Sequence, residues 1–148
     1  MMMLNVLGCN AQSSLPETDC LSENLVDEAA MKNAGWSFKD FTATKLPQCG
    51  ADMWNGYRNL DLVASVSKTL RVSGTATLEY GNCWDAGKTN VYLNGKLIDS
   101  AGPLTAAKTV VFKCNSGDVL ELKDEEGNAV IKMKKLAICG VCMILIMS

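Results

Sequence analysis

The chain contains no histidine among its 148 residues. Histidine is the commonest general base, the usual partner of a serine or cysteine nucleophile, and the commonest ligand of catalytic zinc. Most hydrolase mechanisms therefore lose their central residue. Carboxylates, lysine and tyrosine remain, but no pair of them has the spacing of a catalytic motif. The sequence predicts a protein that is not an enzyme. The alternative, a carboxylate enzyme, would need two acidic side chains facing each other in one cleft.

The chain also lacks a large excess of either positive or negative charge. Fourteen basic and sixteen acidic residues leave a formal charge of -2, and the longest basic run is the pair Lys134–Lys135. A polyphosphate partner needs a concentrated basic surface, so nucleic acid is not an expected partner. Hydrophobic residues make up 48% and charged residues 20%, which is typical of one folded domain.

The chain lacks a hydrophobic run of the roughly 18 to 20 residues that span a bilayer. Residues 1–8 are apolar but short and uncharged, so they make a poor signal peptide, although Cys9-Asn10-Ala11 would suit a cleavage site. A broken apolar stretch runs from Leu136 to Met147. We expect residues 139–148 to be an apolar C-terminal tail. The alternative is a truncated membrane anchor bounded by Lys134–Lys135.

Cysteine, by contrast, is abundant. The spread of the cysteines along the chain is typical of secreted domains with disulfides, so the sequence predicts a secreted or extracellular protein. Cys139 and Cys142 form a CxxC pair, but zinc needs two further ligands at matching spacing and the chain offers none. The chain has seven cysteines, an odd number, so at least one thiol is free or bonded to another chain. The seven are Cys9, Cys20, Cys49, Cys83, Cys114, Cys139 and Cys142.

Two disulfides are candidates from the positions of these residues relative to the predicted elements. Cys83 and Cys114 lie at the ends of two predicted strands, where a bond would close a long loop. A bond between Cys20 and Cys49 would tie an N-terminal helix to the first loop. Connectivity does not follow from sequence alone, so a set of reduced, buried cysteines is the alternative.

Residues 1–35 are expected to form an N-terminal extension with one short helix. Thr18 to Ser22 offers N-cap residues, and apolar side chains recur at helical spacing from Leu21 to Ala30. Gly35 lies where a glycine ends a helix. The pattern predicts a helix over Glu23–Asn33.

From Phe38 the pattern changes to period two, in which alternate side chains face opposite sides of a sheet. Asn94-Gly95 supplies the positive φ angles of a two-residue type I′ turn. The turn predicts a hairpin with a defined register. Its pairs are Leu93 with Lys96, Tyr92 with Leu97 and Val91 with Ile98, and Val91, Leu93 and Ile98 face the core.

The alternation continues to residue 138. It directs Leu120, Leu122, Ile131 and Met133 inward, and a change of parity predicts a bulge or strand end near Lys134 and Lys135. Seven or so short strands without helical crossovers predict an all-β fold, an antiparallel sandwich or barrel, over residues 36–138.

Short motifs in a shared order carry a resemblance to a known family. They are Gly35-Trp36-Ser37, Cys49-Gly50, Gly56-Tyr57, Ser67-Lys68-Thr69, Tyr80-Gly81-Asn82, Val91-Tyr92-Leu93-Asn94-Gly95 and Ser116-Gly117-Asp118-Val119-Leu120. This order resembles the galactose-binding-like jelly-roll β-sandwich modules of extracellular eukaryotic proteins. The resemblance implies a secreted or surface-displayed sandwich whose relatives bind glycans or proteins or serve as structural modules, often with a calcium ion fixing a loop, and without catalytic residues.

Glycan binding would need exposed aromatic platforms for the sugar C–H faces and polar groups for the hydroxyls. Predicted loops carry three aromatic residues, together with amide and charged side chains, and such a set could converge on one ligand. The alternative is that Trp36, Trp54 and Trp84 plug the open ends of the core. The candidate ligand-binding residues are Trp54, Tyr57, Arg58, Asn82, Trp84 and Asp85, with Asn55 nearby.

Calcium would need six to eight oxygen ligands. The candidates are Asp118, Asp124 and Glu126, with Glu125 beside them, but no loop has the spacing of a known calcium motif. A solvated acidic turn is the alternative.

The sequence therefore predicts a non-enzymatic extracellular module that binds carbohydrate, or another protein, through loops at one end of a sandwich. A second hypothesis is a structural or assembly subunit whose apolar tail, Ile138 to Met147, contacts a partner or a membrane.

Overall fold

A computed structural model describes residues 2–3, 20–44, 46, 49–50, 53–59, 63–140 and 146–147. These residues form thirteen β-strands and one short helix. In chain order they are β1 (Met2–Met3), β2 (Cys20–Asn24), α1 (Glu28–Asn33), β3 (Ser37–Lys39), β4 (Phe41–Thr44), β5 (Trp54–Arg58), β6 (Ala64–Thr69), β7 (Gly74–Asn82), β8 (Thr89–Leu93), β9 (Lys96–Ala101), β10 (Thr105–Cys114), β11 (Val119–Asp124), β12 (Val130–Cys139) and β13 (Ile146–Met147).

Two antiparallel sheets form the layers of a β-sandwich, as the sequence predicted. The six-stranded sheet has the order β10-β7-β12-β5-β4, with β2 also paired to β12. The five-stranded sheet has the order β3-β6-β11-β8-β9. β1 and β13 form a separate antiparallel pair.

One core fills the space between the two sheets. The inward side chains predicted from period two are buried: Val91, Leu120 and Leu122 on the five-stranded sheet, Ile131 and Met133 on the six-stranded sheet. Each such side chain contributes roughly 1.5 to 3 kcal/mol by leaving water. The predicted alternation of inward and outward side chains along these strands is therefore confirmed.

The Asn94-Gly95 hairpin has the expected turn and nearly the expected register. Asn94 and Gly95 have φ angles of 51° and 81°. The predicted pairs of Leu93 with Lys96 and of Tyr92 with Leu97 are present, but Val91 pairs with Asp99 rather than with Ile98. A bulge makes Ile98 the additional residue, and its side chain still packs against the core. The bulge predicted near Lys134 and Lys135 is confirmed by a register shift between Met133 and Lys135.

The predicted start of the helix is wrong. Glu23 and Asn24, the first two residues of the predicted helix, belong instead to β2 (Cys20–Asn24), because the backbone of this segment pairs with β12 and Glu23 lies opposite Leu136. The helix begins after Asp27, whose side chain accepts a hydrogen bond from the Ala30 amide at 2.7 Å. Its predicted end is right, since Gly35 follows with a φ angle of 95°.

Both predicted cysteine pairings are wrong. Cys49 is bonded to Cys83, and Cys20 to Cys139. Cys114 is a free, buried thiol.

Strand geometry explains both errors. Cys114 on β10 pairs in register with Gly74, whereas Cys83 follows the other end of β7. The nine residues of β7 therefore separate them by roughly 30 Å. Cys20 lies opposite Cys139 at the end of β12, far from Cys49, which packs near Val130 at its start. Cys9 and Cys142 lie outside the described residues.

Within the described ranges, no helix is both long and apolar enough to cross a membrane. The predicted apolar tail lies mostly outside them, so the second hypothesis stays a prediction.

Candidate functional site

The predicted ligand-binding residues separate into a buried group and an exposed group. Trp84 and Tyr57 expose 38% and 43% of their surface, and Asp85 is also exposed. Trp54 and Asn82 are buried. Arg58 ends β5, where its backbone pairs with Phe41, and its side chain is outside what the structure describes.

Trp54 is a core residue, as the alternative interpretation of the tryptophans required. It is 2% exposed, and its ring lies 5.3 Å from that of Phe38 and 5.4 Å from that of Phe41. Gly56 leaves the space for this cluster, because a Cβ atom there would lie 2.8 Å from ring atoms of Trp54 and Phe41. Trp36 is also buried, so only Trp84 of the three tryptophans is exposed.

Asn82 is a structural residue that organises the loop after β7. Its side-chain amide donates to the carbonyls of Ala86 at 3.0 Å and Gly87 at 3.1 Å. Its Oδ1 accepts from the amides of Trp84 at 3.1 Å and Val130 at 3.0 Å. With both ends of the amide bonded inside the protein, Asn82 is not available to a ligand. It instead holds the loop that carries Trp84 against the start of β12.

Trp84 and Tyr57 lie at the same end of the sandwich. Tyr57 pairs with Val130 on one side of β12, and the Cys83 amide donates to the Val130 carbonyl on the other side. Two strand spacings therefore put Tyr57 and Cys83 roughly 10 Å apart. Trp84 follows Cys83 directly. We call this end, which carries Trp84, Asp85 and Tyr57, the Trp84 end.

Two further bonds hold the Trp84 end in place. Cys83 is bonded to Cys49, and this disulfide packs with Val130 and Leu46 in a small apolar cluster outside the main core. The Leu104 amide donates to the Trp84 carbonyl at 2.8 Å. The exposed indole therefore projects from a backbone that is anchored on both sides.

A second polar surface covers the outer face of the five-stranded sheet around Tyr92. The Lys123 ammonium lies 5.0 Å from the centre of the Tyr92 ring, and the Tyr92 hydroxyl donates to Glu125. That hydrogen bond raises the pKa of Tyr92 and lowers the pKa of Glu125. Sequence reasoning missed this group, although the outward parity of Tyr92 and Lys123 would have found it. Its ring face and hydroxyl already have protein partners.

The three acidic candidates for calcium do not form one site. Asp118 accepts from the Asn94 side chain at 2.9 Å and the Asn115 amide at 2.7 Å, and the bond from Asn94 lowers its pKa. Asp124 is buried and accepts from the Gly127 amide at 2.8 Å. Glu126 pairs with Lys88 at 3.7 Å.

The strand between these residues explains why they stay apart. β11 begins next to Asp118 and ends at Asp124, so roughly 20 Å of chain separates the two carboxylates. Among the residues that the structure describes, no group of three or more cysteine, aspartate or glutamate side chains is placed to hold a metal ion. The predicted set of Asp118, Asp124 and Glu126 is thus corrected to three separate structural contacts.

Known proteins resemble this chain in fold. No protein-family profile matches it, and no curated protein matches it in sequence. A family 29 carbohydrate-binding module complexed with cellulohexaose has a TM-score of 0.57 and 13% identity, over 82% of this chain and 92% of that one. A family 35 carbohydrate-binding module from Clostridium thermocellum has a TM-score of 0.52 and 11% identity, over 80% and 96% of the two chains.

At identities this low, the likeness concerns the fold alone. It confirms the galactose-binding-like jelly-roll β-sandwich that the order of short motifs predicted.

Proposed function

We propose that this chain is a non-catalytic, extracellular carbohydrate-binding module that binds a glycan at the Trp84 end. The observation that carries the proposal is the exposure of Trp84 and Tyr57 at one anchored end of a jelly-roll sandwich. An indole or phenol face packs against the C–H face of a sugar ring. Asp85, which is exposed beside Trp84, supplies an acceptor for sugar hydroxyls.

The anchored backbone also favours binding at this end. Association is weakened by every side chain or loop that must be ordered first, so a preformed platform keeps more of its contact energy. Asn82 and the Cys49–Cys83 disulfide order the Trp84 loop before any ligand arrives. The surface around Tyr92 is the weaker candidate, because Lys123 and Glu125 already contact that side chain.

The similar structures support the ligand class. They are named as carbohydrate-binding modules, and one of them is a complex with cellulohexaose. The two disulfides support the proposed extracellular compartment, since such bonds persist in oxidising compartments such as the extracellular space.

Calorimetric titration of the full chain with cellulohexaose, together with a glycan array, tests the proposal. We expect at least one glycan to bind, with and without added calcium. Replacing Trp84 by Ala should weaken that binding roughly tenfold or more, since the stacking surface is lost. The matched control is Tyr92→Ala, which removes an aromatic side chain from the sheet face and should leave the affinity unchanged.

Absence of binding to every glycan would contradict the proposed function. Binding that is lost in Tyr92→Ala and retained in Trp84→Ala would contradict the proposed position of the glycan site and would place the ligand on the five-stranded sheet.

A further inference from the structure

A cavity of about 230 Å³ opens at the opposite end of the sandwich from Trp84. Leu21 and Glu23 of β2 line it, together with Lys68, Arg71, Leu136 and Ile138. β12 connects the two ends: it starts with Val130 at the Trp84 end and reaches Ile138 here, roughly 26 Å away. The cavity, which we call the Arg71 cavity, is therefore separate from the proposed glycan site.

Two of its three charged side chains neutralise each other. The Lys68 ammonium donates to Glu23 Oε1 and, at 2.5 Å, to the Ala34 carbonyl. The other carboxylate oxygen of Glu23 accepts from Trp36 Nε1 at 3.2 Å. Both oxygens of Glu23 are thus bonded within the protein, and the pair adds no net charge to the cavity.

Arg71 is the charge that remains. Its guanidinium makes no hydrogen bond or ion pair with any residue in the described part of the chain. It also lines a neighbouring cavity of about 180 Å³, beside the hydroxyl-bearing residues Ser37, Ser67 and Thr69. One glutamate, one lysine and one arginine give the Arg71 cavity a net charge of +1. An anion is the ligand that this charge favours.

The apolar lining and the volume of the cavity indicate the polarity and the size of the rest of the ligand. Leu21, Leu136 and Ile138 form an apolar side, which favours a body with a hydrophobic face. The volume is below the roughly 300 to 1,000 Å³ of pockets for drug-sized molecules, so it fits a single ring. A guanidinium presents parallel N–H donors that match the two oxygens of a carboxylate.

We propose that the Arg71 cavity binds a carboxylate carried on a compact, single-ring body, with the carboxylate on Arg71 and the ring against Leu21, Leu136 and Ile138. Such a carboxylate occurs in free small acids and in acidic sugar units. The recognising chemistry is the same for both.

Titration of the full chain, followed by the amide NMR shifts of Arg71 and Val72, tests the proposal. The probes are cyclohexanecarboxylate, glucuronate, and the neutral cyclohexylmethanol and methyl glucoside. We expect one or both carboxylates to bind and their neutral counterparts to bind roughly tenfold more weakly or not at all. Binding of cyclohexanecarboxylate alone identifies a free-acid site, and binding of glucuronate identifies an acidic-sugar site.

Variants separate this site from the proposed glycan site. Arg71→Gln should weaken carboxylate binding roughly tenfold. Arg71→Lys keeps the charge and loses the paired donors, so it should bind with intermediate strength. Lys96→Gln removes one positive charge from the exposed hairpin and should change nothing, as should Trp84→Ala. Absence of carboxylate binding, equal binding of the neutral probes, or full binding by Arg71→Gln would each overturn the proposal, whatever the result with cellulohexaose.

Discussion

Glu23 and Lys68 form an ion pair between the two sheets, although 45 positions separate them in the chain. Lys68 is 8% exposed and Glu23 is 25% exposed, so water screens the pair only in part. β2 brings Glu23 to this position by pairing with β12. The contact therefore joins the N-terminal segment to the five-stranded sheet.

If the ion pair of Glu23 and Lys68 stabilises the fold, removal of one of the two charges should lower the stability. Lys68→Met leaves the Glu23 carboxylate without its main partner, and we expect the free energy of unfolding to fall by about 2 to 3 kcal/mol. The double variant Glu23→Gln/Lys68→Met should recover part of the loss, because no charge is then buried. Urea denaturation measures both values. The control is Lys32→Met, which breaks an exposed pair with Glu28 and should cost at most about 0.5 kcal/mol. Equal losses in the two single variants would contradict the prediction.

Asp99 should make stability depend on pH in the acid range. Its carboxylate accepts from the Tyr80 hydroxyl at 2.8 Å and from the Lys108 ammonium at 2.9 Å. Burial raises the pKa of Asp99, but these hydrogen bonds outweigh burial and hold the pKa below its ordinary value of 3.8. A carboxyl with a depressed pKa in the folded state stabilises the protein above the ordinary value. That stability is lost as pH falls below 3.8 and through the folded pKa.

Asp99→Asn should therefore lower the unfolding free energy at pH 7 by about 1 kcal/mol and flatten its decline in acid. Denaturation curves from pH 7 to pH 2.5 measure this difference. Asp85→Asn is the control, since its exposed carboxylate has no such partners among the described residues. An unchanged acid slope in Asp99→Asn would show that other carboxylates dominate.

The two disulfides should stabilise the fold to different extents. Cys20–Cys139 closes a sequence separation of 119 and Cys49–Cys83 one of 34. In the chain-entropy account, removing them costs about 5 and about 4 kcal/mol. Denaturation of Cys20→Ala/Cys139→Ala and of Cys49→Ala/Cys83→Ala tests the order. The second variant should also weaken glycan binding, because it releases the loop of Trp84. The first should not affect binding, which makes it the matched control.

Cys114 should behave as a protected thiol. Burial raises the pKa of this thiol, which disfavours the reactive thiolate. In a Cys9→Ser/Cys142→Ser background, we expect a thiol reagent to detect one group, and only after unfolding. Rapid reaction of the folded protein, or detection of three or more thiols, would be inconsistent with the disulfides described above.

Asn82 should contribute more to stability and to glycan binding than Asn55, which is also buried. Asn82→Ala removes four hydrogen bonds in the interior, and we expect a loss of about 3 kcal/mol and weaker glycan binding through a loosened Trp84 loop. Asn55 is equally buried, but within the described part of the chain its side chain makes one hydrogen bond, which Oδ1 accepts from the Leu46 amide at 3.3 Å, and its Nδ2 has no partner there. Asn55→Ala should therefore cost less and leave binding intact. Unfolding and calorimetric titration of both variants measure the difference.

Local patterns were sufficient to predict much of the fold. The alternation around Leu120 and Ile131 follows from side chains pointing to opposite faces of a strand, and the Asn94-Gly95 turn follows from its positive φ angles. These features depend on neighbours a few residues away. The candidate site was predicted less well. Trp84, Tyr57 and Asp85 are exposed as expected, whereas Trp54 and Asn82 are equally plausible in sequence but lie in the interior.

The sequence alone determined an all-β sandwich without histidine chemistry, because period-two burial and turn residues act locally. Only the tertiary structure decided which strand ends meet. That choice pairs Cys20 with Cys139 and draws Glu23 out of a predicted helix into β2. It also leaves Arg71, which lines a cavity, without a side-chain partner among the described residues. These outcomes depend on contacts between residues far apart in the chain, and hydrophobic period carries no information about such contacts.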